Sequence, residues 1–593
     1  MKQTTDVNVL EYIEQFSEVF NQKFQQVLNK TMHGSEQLGT GDYDANQFNE
    51  WLNSANVDSA KLINNQMAFM EQQIQLWQSA TKSMLGESAE PVVAEEKGDQ
   101  RFVDEQWSSN PVYSYIKQAY LLNSQLLNNT LESMQFADPK VAEQVAFYTR
   151  QYINAVSPTN SILTNPEVCR EIVETKGDNL TRGLDNFMED LQRSPIDAFS
   201  VTQTDADAFT LGKDLATTPG KVVYENEFIQ LIQYNATTDK VHKQPILITP
   251  PFINKYYILD LNERKSLVRW LVAQGYTVFI ISWINPDASY RDKDFGDYMK
   301  RGPIAALDVV EKITKTNKVN MVGWCVGGTL LTTAVAYLRA KGDERVNSLT
   351  LFTTLLDFSE PGEVGVYLSD NNMPAIEQAA EEKGYFDGRI LGLGFSMLRE
   401  NNLFWSYFVN NYLKGKDPAP FDLLYWNSDP TNFPAAAFKQ YLSSTYVSNR
   451  LKEAGGVTID GVAIDLAKID VPCYFLSTIA DHIVPWQGSY KGTQLVSGDT
   501  TFVLAGSGHL AGVINPADGG KYPHWTSEEL KEDAQQWFAG ATKHDGSWWP
   551  HWQQWLSDKS SSQVKARTVG RSKAFPAIED APGRYVRVRL DGK

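Results

Sequence analysis

The chain has 593 residues, 42% of them hydrophobic and 12% aromatic, enough to fill large cores and to exclude bulk disorder. Its 54 basic and 72 acidic residues leave a net charge of −18, which makes it a poor general binder of nucleic acid. Three cysteines are too few for a disulfide framework and fit a reducing compartment, so each thiol is open to a chemical role.

The opening residues Met1 to Asn8 carry no apolar stretch, so no secretory signal is expected. No uninterrupted run of about 18 apolar residues predicts a membrane-spanning helix. Residues 1–205 read as a helical N-terminal domain. Leu10, Ile13, Phe16, Phe20, Phe24, Val27 and Leu28 recur at three- and four-residue steps, as do Met67, Met70, Ile74, Trp77 and Met84 between Trp51 and Leu85. Gly86 to Gly98, rich in acid, glycine and proline, reads as a solvated linker. The helical pattern resumes over Tyr113–Leu131 and Val141–Ala155. These apolar faces either make a helical core or leave one side open for a partner subunit or an apolar surface.

From about residue 206 short apolar runs alternate with helical stretches. Strands are expected at Pro245–Thr249, Thr277–Trp283, Val319–Gly323, Ser348–Thr354, Cys473–Thr478 and Thr501–Leu504. Most are apolar on both faces, as in a parallel sheet covered by helices. Residues 206–593 therefore predict a wound α/β catalytic domain. The gap between the fourth and fifth strands is too long for one crossover, so residues of about 356–466, rich in Phe, Trp and Tyr, predict an inserted cap. From Lys559 the tail carries nine Lys or Arg against three acids, and Arg584 to Leu590 alternates like an edge strand.

Gly323-Trp-Cys325-Val-Gly327 follows an apolar strand and precedes a helical run from Thr329. This is the nucleophile-elbow pattern of the α/β-hydrolase fold, with Cys in place of Ser. Small flanking residues are needed because side chains at Gly323 and Gly327 would collide with the neighbouring strand and helix. The elbow sets the thiol at a helix N-terminus, which favours thiolate. A nucleophile needs a base, and the base an orienting carboxylate. Asp481 follows the Cys473–Thr478 strand and His509 follows the Thr501–Leu504 strand. Cys325, Asp481 and His509 thus stand in the order the fold requires. His482 competes for the role of base, but its neighbour Asp481 points towards the site, so His482 should point elsewhere. Cys169 reads as a packed helical thiol and Cys473 as a core strand thiol. Oxyanion donors are expected from the backbone N–H of Val326 and from the loop Pro250 to Tyr257, where Phe252 or Ile253 is the donor.

Thiol attack on a thioester is nearly isoenergetic, whereas Ser attack runs downhill and traps the acyl group as an ester. A Cys elbow suits an enzyme that holds an activated acyl chain and passes it on.

These segments, with Pro250 to Leu261, Phe352 to Phe358, Phe421 to Asn427, Ser507 to Gly512 and Gly546 to Pro550, resemble the polyhydroxyalkanoate synthases, and the length and helical N-terminal region resemble class I. The resemblance implies an α/β-hydrolase fold with a cap, and an acyltransferase that polymerises (R)-3-hydroxyacyl-coenzyme A. Cys325 would carry the acyl group as a thioester and His509 would take the thiol proton. Asp481 would assist the next monomer's hydroxyl, directly or through His509. Within the family motifs Asp260 and Trp426 are substrate or cap candidates, Trp426 lying in a run that resembles a segment near the dimer contact or cap. No metal and no standing cofactor are implied, since coenzyme A enters with the substrate. The partners implied are the growing polyester, a second copy in a homodimer and phasin-like granule proteins. The location implied is the cytoplasm and then the granule surface. A cytosolic thioesterase or polyester depolymerase shares the triad, and a non-enzymatic granule scaffold would use the helices of residues 1–205.

Overall fold

The structure, a computed structural model, describes residues 45–194, 199–368, 372–560 and 562–590. The apolar row from Leu10 to Leu28 lies outside them. The chain divides into two compact units, Met1–Gln203 with Ser396–Ala419, and Thr204–Phe395 with Pro420–Lys593.

The first unit contains α1 (Ala45–Ser54), α2 (Ser59–Met84), α3 (Pro111–Glu132), α4 (Pro139–Ala155), α5 (Pro166–Thr175) and α6 (Asp178–Arg193). Three of these helices share one start signal. Asn110-Pro111, Asp138-Pro139 and Asn165-Pro166 each place an Asx side chain at the N-cap, accepting a first-turn N–H, and a proline at the first helical position. Proline's missing N–H is harmless there and its φ is already helical.

Two features of this unit depart from expectation. Residues 86–98 form no helix, but they are not a free linker. The buried Gln118 side chain accepts from the N–H groups of Val92 and Val93 and donates to the Val93 carbonyl, and Lys117 pairs with Glu95 at 2.6 Å. The expected cap is also split, for residues 396–419 belong to the helical unit. Phe408 and Tyr412 pack with Phe187, Phe199 and Leu180 in one apolar cluster. The backbone comes so close to α6 that a β-carbon on Gly183 would sit 1.8 Å from the Tyr412 carbonyl oxygen. Aromatic density marked this segment as cap, whereas a small residue on α6 decides where it packs. Along α2, Met67, Met70, Ile74, Trp77 and Met84 form one outward row, each at least 59% exposed.

The second unit is built on an eleven-stranded sheet. Its strands are β1 (Gly220–Glu225), β2 (Ile229–Tyr234), β3 (Ile246–Thr249), β4 (Val278–Trp283), β5 (Val319–Trp324), β6 (Val346–Phe352), β7 (Cys473–Thr478), β8 (Thr500–Ala505), β9 (His524–Thr526), β10 (Thr542–His544) and β11 (Glu579–Asp580), in the order β10-β9-β8-β7-β6-β5-β3-β4-β2-β1-β11. The six strands from β8 to β4 are parallel and carry the expected sequence runs. The edges are antiparallel. Helix α7 (Val326–Ala340) follows β5 and is buried along nearly all its length. Apolar clusters cover both faces of the sheet, which is why the central strands read as unbroken apolar runs.

The tail departs from expectation too. Its strands are Gln563–Lys565, paired with Lys240–His242, and β11 at the sheet edge. The alternating Arg584–Leu590 stretch instead forms a short 3₁₀ turn at Tyr585–Arg587. Gln230 Oε1 accepts the N–H groups of Arg584 and Tyr585, taking the bonds a neighbouring strand would have taken.

Candidate active site

Strand β5 delivers Cys325 on a sharp turn. Its φ and ψ are 51° and −128°, a conformation that strains a non-glycine residue by about 1–3 kcal/mol and that clusters at functional sites. The turn holds because the Cys325 N–H donates to the Phe352 carbonyl at 2.9 Å, and the Cys325 carbonyl accepts from Gly328 and Thr329 to open α7. The two flanking glycines are needed for space. A β-carbon on Gly323 would lie 2.5 Å from Gly328 Cα, and one on Gly327 would lie 2.4 Å from the Pro250 oxygen.

Sheet register brings the acid and base to the same edge. Trp324 at the end of β5 pairs with Phe352, Phe352 stands beside Leu476 of β7, and Thr478 pairs with Ala505 of β8. The loops after β5, β7 and β8 therefore rise side by side. Asp481 Oδ1 accepts from the Ile483 and Val484 N–H groups, both at 2.9 Å. Its Oδ2 accepts from Thr478 at 3.2 Å and faces His509 Nδ1 at 2.7 Å. With Nδ1 so engaged, His509 shares the lining of one cavity with Cys325. Burial alone would lower the His509 pKa, but the charges of Asp481 and of Cys325 outweigh it and push it up to about 10.

The cavity above the sulfur holds about 50 Å³, room for a few water-sized groups. Its walls are mainly apolar: Ile253, Trp324, Leu391, Phe395, Trp426, Ile483 and Leu510, with Cys325 and His509 at the base. A larger cavity of about 1030 Å³ lies within the helical unit, lined by amides and ion pairs such as Gln125, Asn128, Asn154 and Arg150–Glu400. It holds neither the nucleophile nor the base of the catalytic constellation.

Two family models match the chain, the Poly-beta-hydroxybutyrate polymerase (PhaC) N-terminus over residues 98–271 and the alpha/beta hydrolase fold over residues 254–516. A poly(3-hydroxyalkanoate) polymerase subunit of Rhizobium meliloti is 43% identical over 87% of this chain and 84% of its own length. A poly(3-hydroxyalkanoate) polymerase of Methylorubrum extorquens is 44% identical over 87% and 85%. One from Cupriavidus necator is 42% identical over 91% and 90%. The chain belongs to the poly(3-hydroxyalkanoate) polymerase family.

Within this polymerase the structure sorts the residues that the sequence singled out. Cys325, Asp481 and His509 come together, and His482 is not among the residues lining the cavity. Ile253 lines the cavity, whereas Phe252 turns its ring into the core against Trp283, Tyr298 and Phe433. Val326 is the first residue of α7. Trp426 lines the cavity and donates its indole N–H to the Lys255 carbonyl at 2.6 Å.

Asp260, the other substrate or cap candidate, is not among the residues lining the cavity. It is fully buried away from the cavity, where its carboxylate accepts from the Thr218 N–H and from the hydroxyls of Thr218 and Ser266. Burial raises its pKa while those donors oppose the rise. It fixes the loop after β3, a framework role that membership of a motif does not distinguish from substrate contact.

Two residues went unnoticed in the sequence. Tyr441 and Tyr446 are packed against one another, with ring centroids 6.1 Å apart. Burial raises both phenol pKa values, and both tyrosines and Cys325 pack in one apolar cluster. No motif spacing flags them; the aromatic richness of the insertion was the sole signal.

Proposed function

We propose that this polymerase works through a Cys325-bound acyl thioester, with (R)-3-hydroxyacyl-coenzyme A as monomer. The arrangement of Cys325, His509 and Asp481 at three adjacent strand ends carries the reading. His509 takes the thiol proton first, in keeping with its raised pKa, and the Cys325 sulfur then attacks the thioester carbonyl. The oxyanion that forms accepts hydrogen bonds from the N–H groups of Val326 and Ile253. Collapse expels coenzyme A, which leaves with the proton from His509. The 3-hydroxyl of the next monomer then attacks the Cys325 thioester and loses its proton to His509, directly or with the help of Asp481. The product is a chain one unit longer, still a coenzyme A thioester, which re-acylates Cys325 and releases coenzyme A. Every atom comes from substrate and side chains, so the scheme calls on no metal or standing cofactor.

The apolar walls favour this reading over hydrolysis, because water is the competing nucleophile and a dry cavity disfavours it. A cavity of about 50 Å³ holds neither a coenzyme A thioester nor a polymer, so we infer that the insertion opens to admit them. Because the polyester stays attached to the enzyme, the enzyme starts in the cytoplasm and ends on the granule surface. The outward row on α2 supports contact with polymer, with a second copy in a homodimer, or with phasin-like granule proteins. No helix among the described residues is long and apolar enough to cross a membrane.

The test is to incubate purified protein with (R)-3-hydroxybutyryl-coenzyme A and to measure free thiol and insoluble polyester together. Thiol without polyester would favour a thioesterase, and the absence of both products would overturn the assignment.

A further inference from the structure

The loop after β3 that carries Ile253 also carries a buried charge. Lys255 is 2% exposed, and its ammonium donates to the Val588 carbonyl at 2.7 Å. Burial depresses its pKa, Asp429 opposes that and Arg589 adds to it. The C-terminal segment that supplies the acceptor is itself anchored. Val586 is fully buried, the Arg584 and Tyr585 N–H groups donate to Gln230, and the Arg589 guanidinium lies 4.9 Å from the Tyr425 ring centroid.

The same loop is tied on its other side to the segment around Trp426. Thr431 donates its N–H to the Ile253 carbonyl at 3.0 Å and its hydroxyl to the Phe252 carbonyl at 2.7 Å. The Trp426 indole donates to the Lys255 carbonyl at 2.6 Å. Lys255 thus joins three parts of the fold: the tail through its ammonium, Trp426 through its carbonyl, and Ile253 through two peptide units. An unpaired ammonium is very unfavourable in such a place. Without Val588 the loop must shift until the charge finds another acceptor or water. That shift carries Ile253 and Trp426, both of which face the sulfur.

We propose that Lys255 is a positioning residue for the oxyanion loop and that the tail carbonyl of Val588 is the strut that holds it. This rests on the reading of Ile253 as an oxyanion donor. A donor must sit within a few tenths of an ångström of where charge develops, and a misplacement of about 1 Å reduces rate about 100-fold.

The test separates oxyanion stabilisation from nucleophile activation. Alkylation of Cys325 by iodoacetamide needs the sulfur and His509 but forms no tetrahedral oxyanion. Lys255→Met keeps the apolar stem and strands no charge, but it cuts the tie to the Val588 carbonyl and frees the loop, so kcat with (R)-3-hydroxybutyryl-coenzyme A should fall about 100-fold while KM and the alkylation rate stay near wild type. A chain ended at Arg587, which lacks the Val588 carbonyl but keeps the Val586 anchor, should show the same split. An unchanged kcat in either variant overturns the proposal. So does an equal loss of alkylation, which would mean that the whole site had collapsed. A third variant, with the α-hydroxy analogue of Ile253 in place of Ile253, deletes one N–H. If that variant keeps full kcat, the oxyanion reading itself fails. If it loses kcat while Lys255→Met does not, only the role of Lys255 fails.

Discussion

Gly327 lies against the Pro250 carbonyl so closely that a β-carbon would stand 2.4 Å from its oxygen. The first turn of the nucleophile helix is therefore seated on the loop that carries Ile253, and the two proposed oxyanion donors are fixed relative to each other through backbone contact. Gly327→Ala must push that loop away. It should destabilise the fold by about 1–3 kcal/mol, as overpacking does, and should lose most turnover. Denaturant titration beside a turnover assay checks this. A variant with wild-type stability and turnover would show that the seat is soft.

Cys325→Ala should abolish turnover without unfolding the protein, since the side chain sits on a turn at the cavity floor and supports no core cluster alone. Cys325→Ser should also lose nearly all elongation, because an acyl ester on Ser is a deeper well than the thioester of the incoming monomer. The two variants should differ in mass after exposure to substrate, with an acyl adduct on Ser and none on Ala. Intact-protein mass spectrometry reads this directly, and polymer made by Cys325→Ala would sink the assignment.

His509→Gln should slow acylation by about 10²–10⁴-fold, the range for loss of a general base, and His482→Gln should cost much less. Asp481→Asn should let some acyl-enzyme form yet stall elongation if its main task is the monomer hydroxyl. A drop in acylation as large as that of His509→Gln would assign Asp481 to orienting the base through the 2.7 Å contact. The raised His509 pKa also predicts a pH dependence of stability. Below about 6.5, the ordinary imidazole value, folded and unfolded chains both carry the proton and the stabilisation is fully present. As pH rises towards about 10 the unfolded chain has lost the proton and the folded chain progressively loses it, so this stabilisation disappears. Denaturation midpoints between pH 6 and 10.5 should fall more steeply in wild type than in His509→Gln.

The central strands and the triad were legible because each has a local signature. A parallel strand covered on both faces is an unbroken apolar run, and an elbow is a short pattern forced by sterics. Strand β2 was missed because buried Gln230 and Gln233 interrupt its apolar run. Gln230 is there to bind the tail through Glu579 and the Arg584 N–H, a partner more than 300 residues away. The same long-range bonds made the alternation of Arg584–Leu590 misleading. Asp260 failed for a related reason, since a buried carboxylate that holds a loop looks in sequence like one that meets a substrate. Tyr441 and Tyr446 join the apolar cluster that holds Cys325 only through the fold of the insertion.

The outward row on α2 gives the last prediction. Met67, Met70, Ile74, Trp77 and Met84 follow one another at steps of 3, 4, 3 and 7 residues, so they share a single helical stripe. Each is at least 59% exposed. A stripe this apolar raises the free energy of the exposed state and is commonly an interaction surface. Because these side chains leave the helical core untouched, Met67→Lys with Ile74→Lys should keep the thermal midpoint within a few degrees. The pair should also keep the rate of Cys325 alkylation, since neither residue belongs to the cavity above the sulfur. What should change is association: the double variant should sediment as a smaller species or partition less onto polyester particles. Sedimentation velocity on the free enzyme, followed by a pull-down on washed polyester, separates those two outcomes. A variant that assembles and partitions as wild type does would show that the stripe is only a surface.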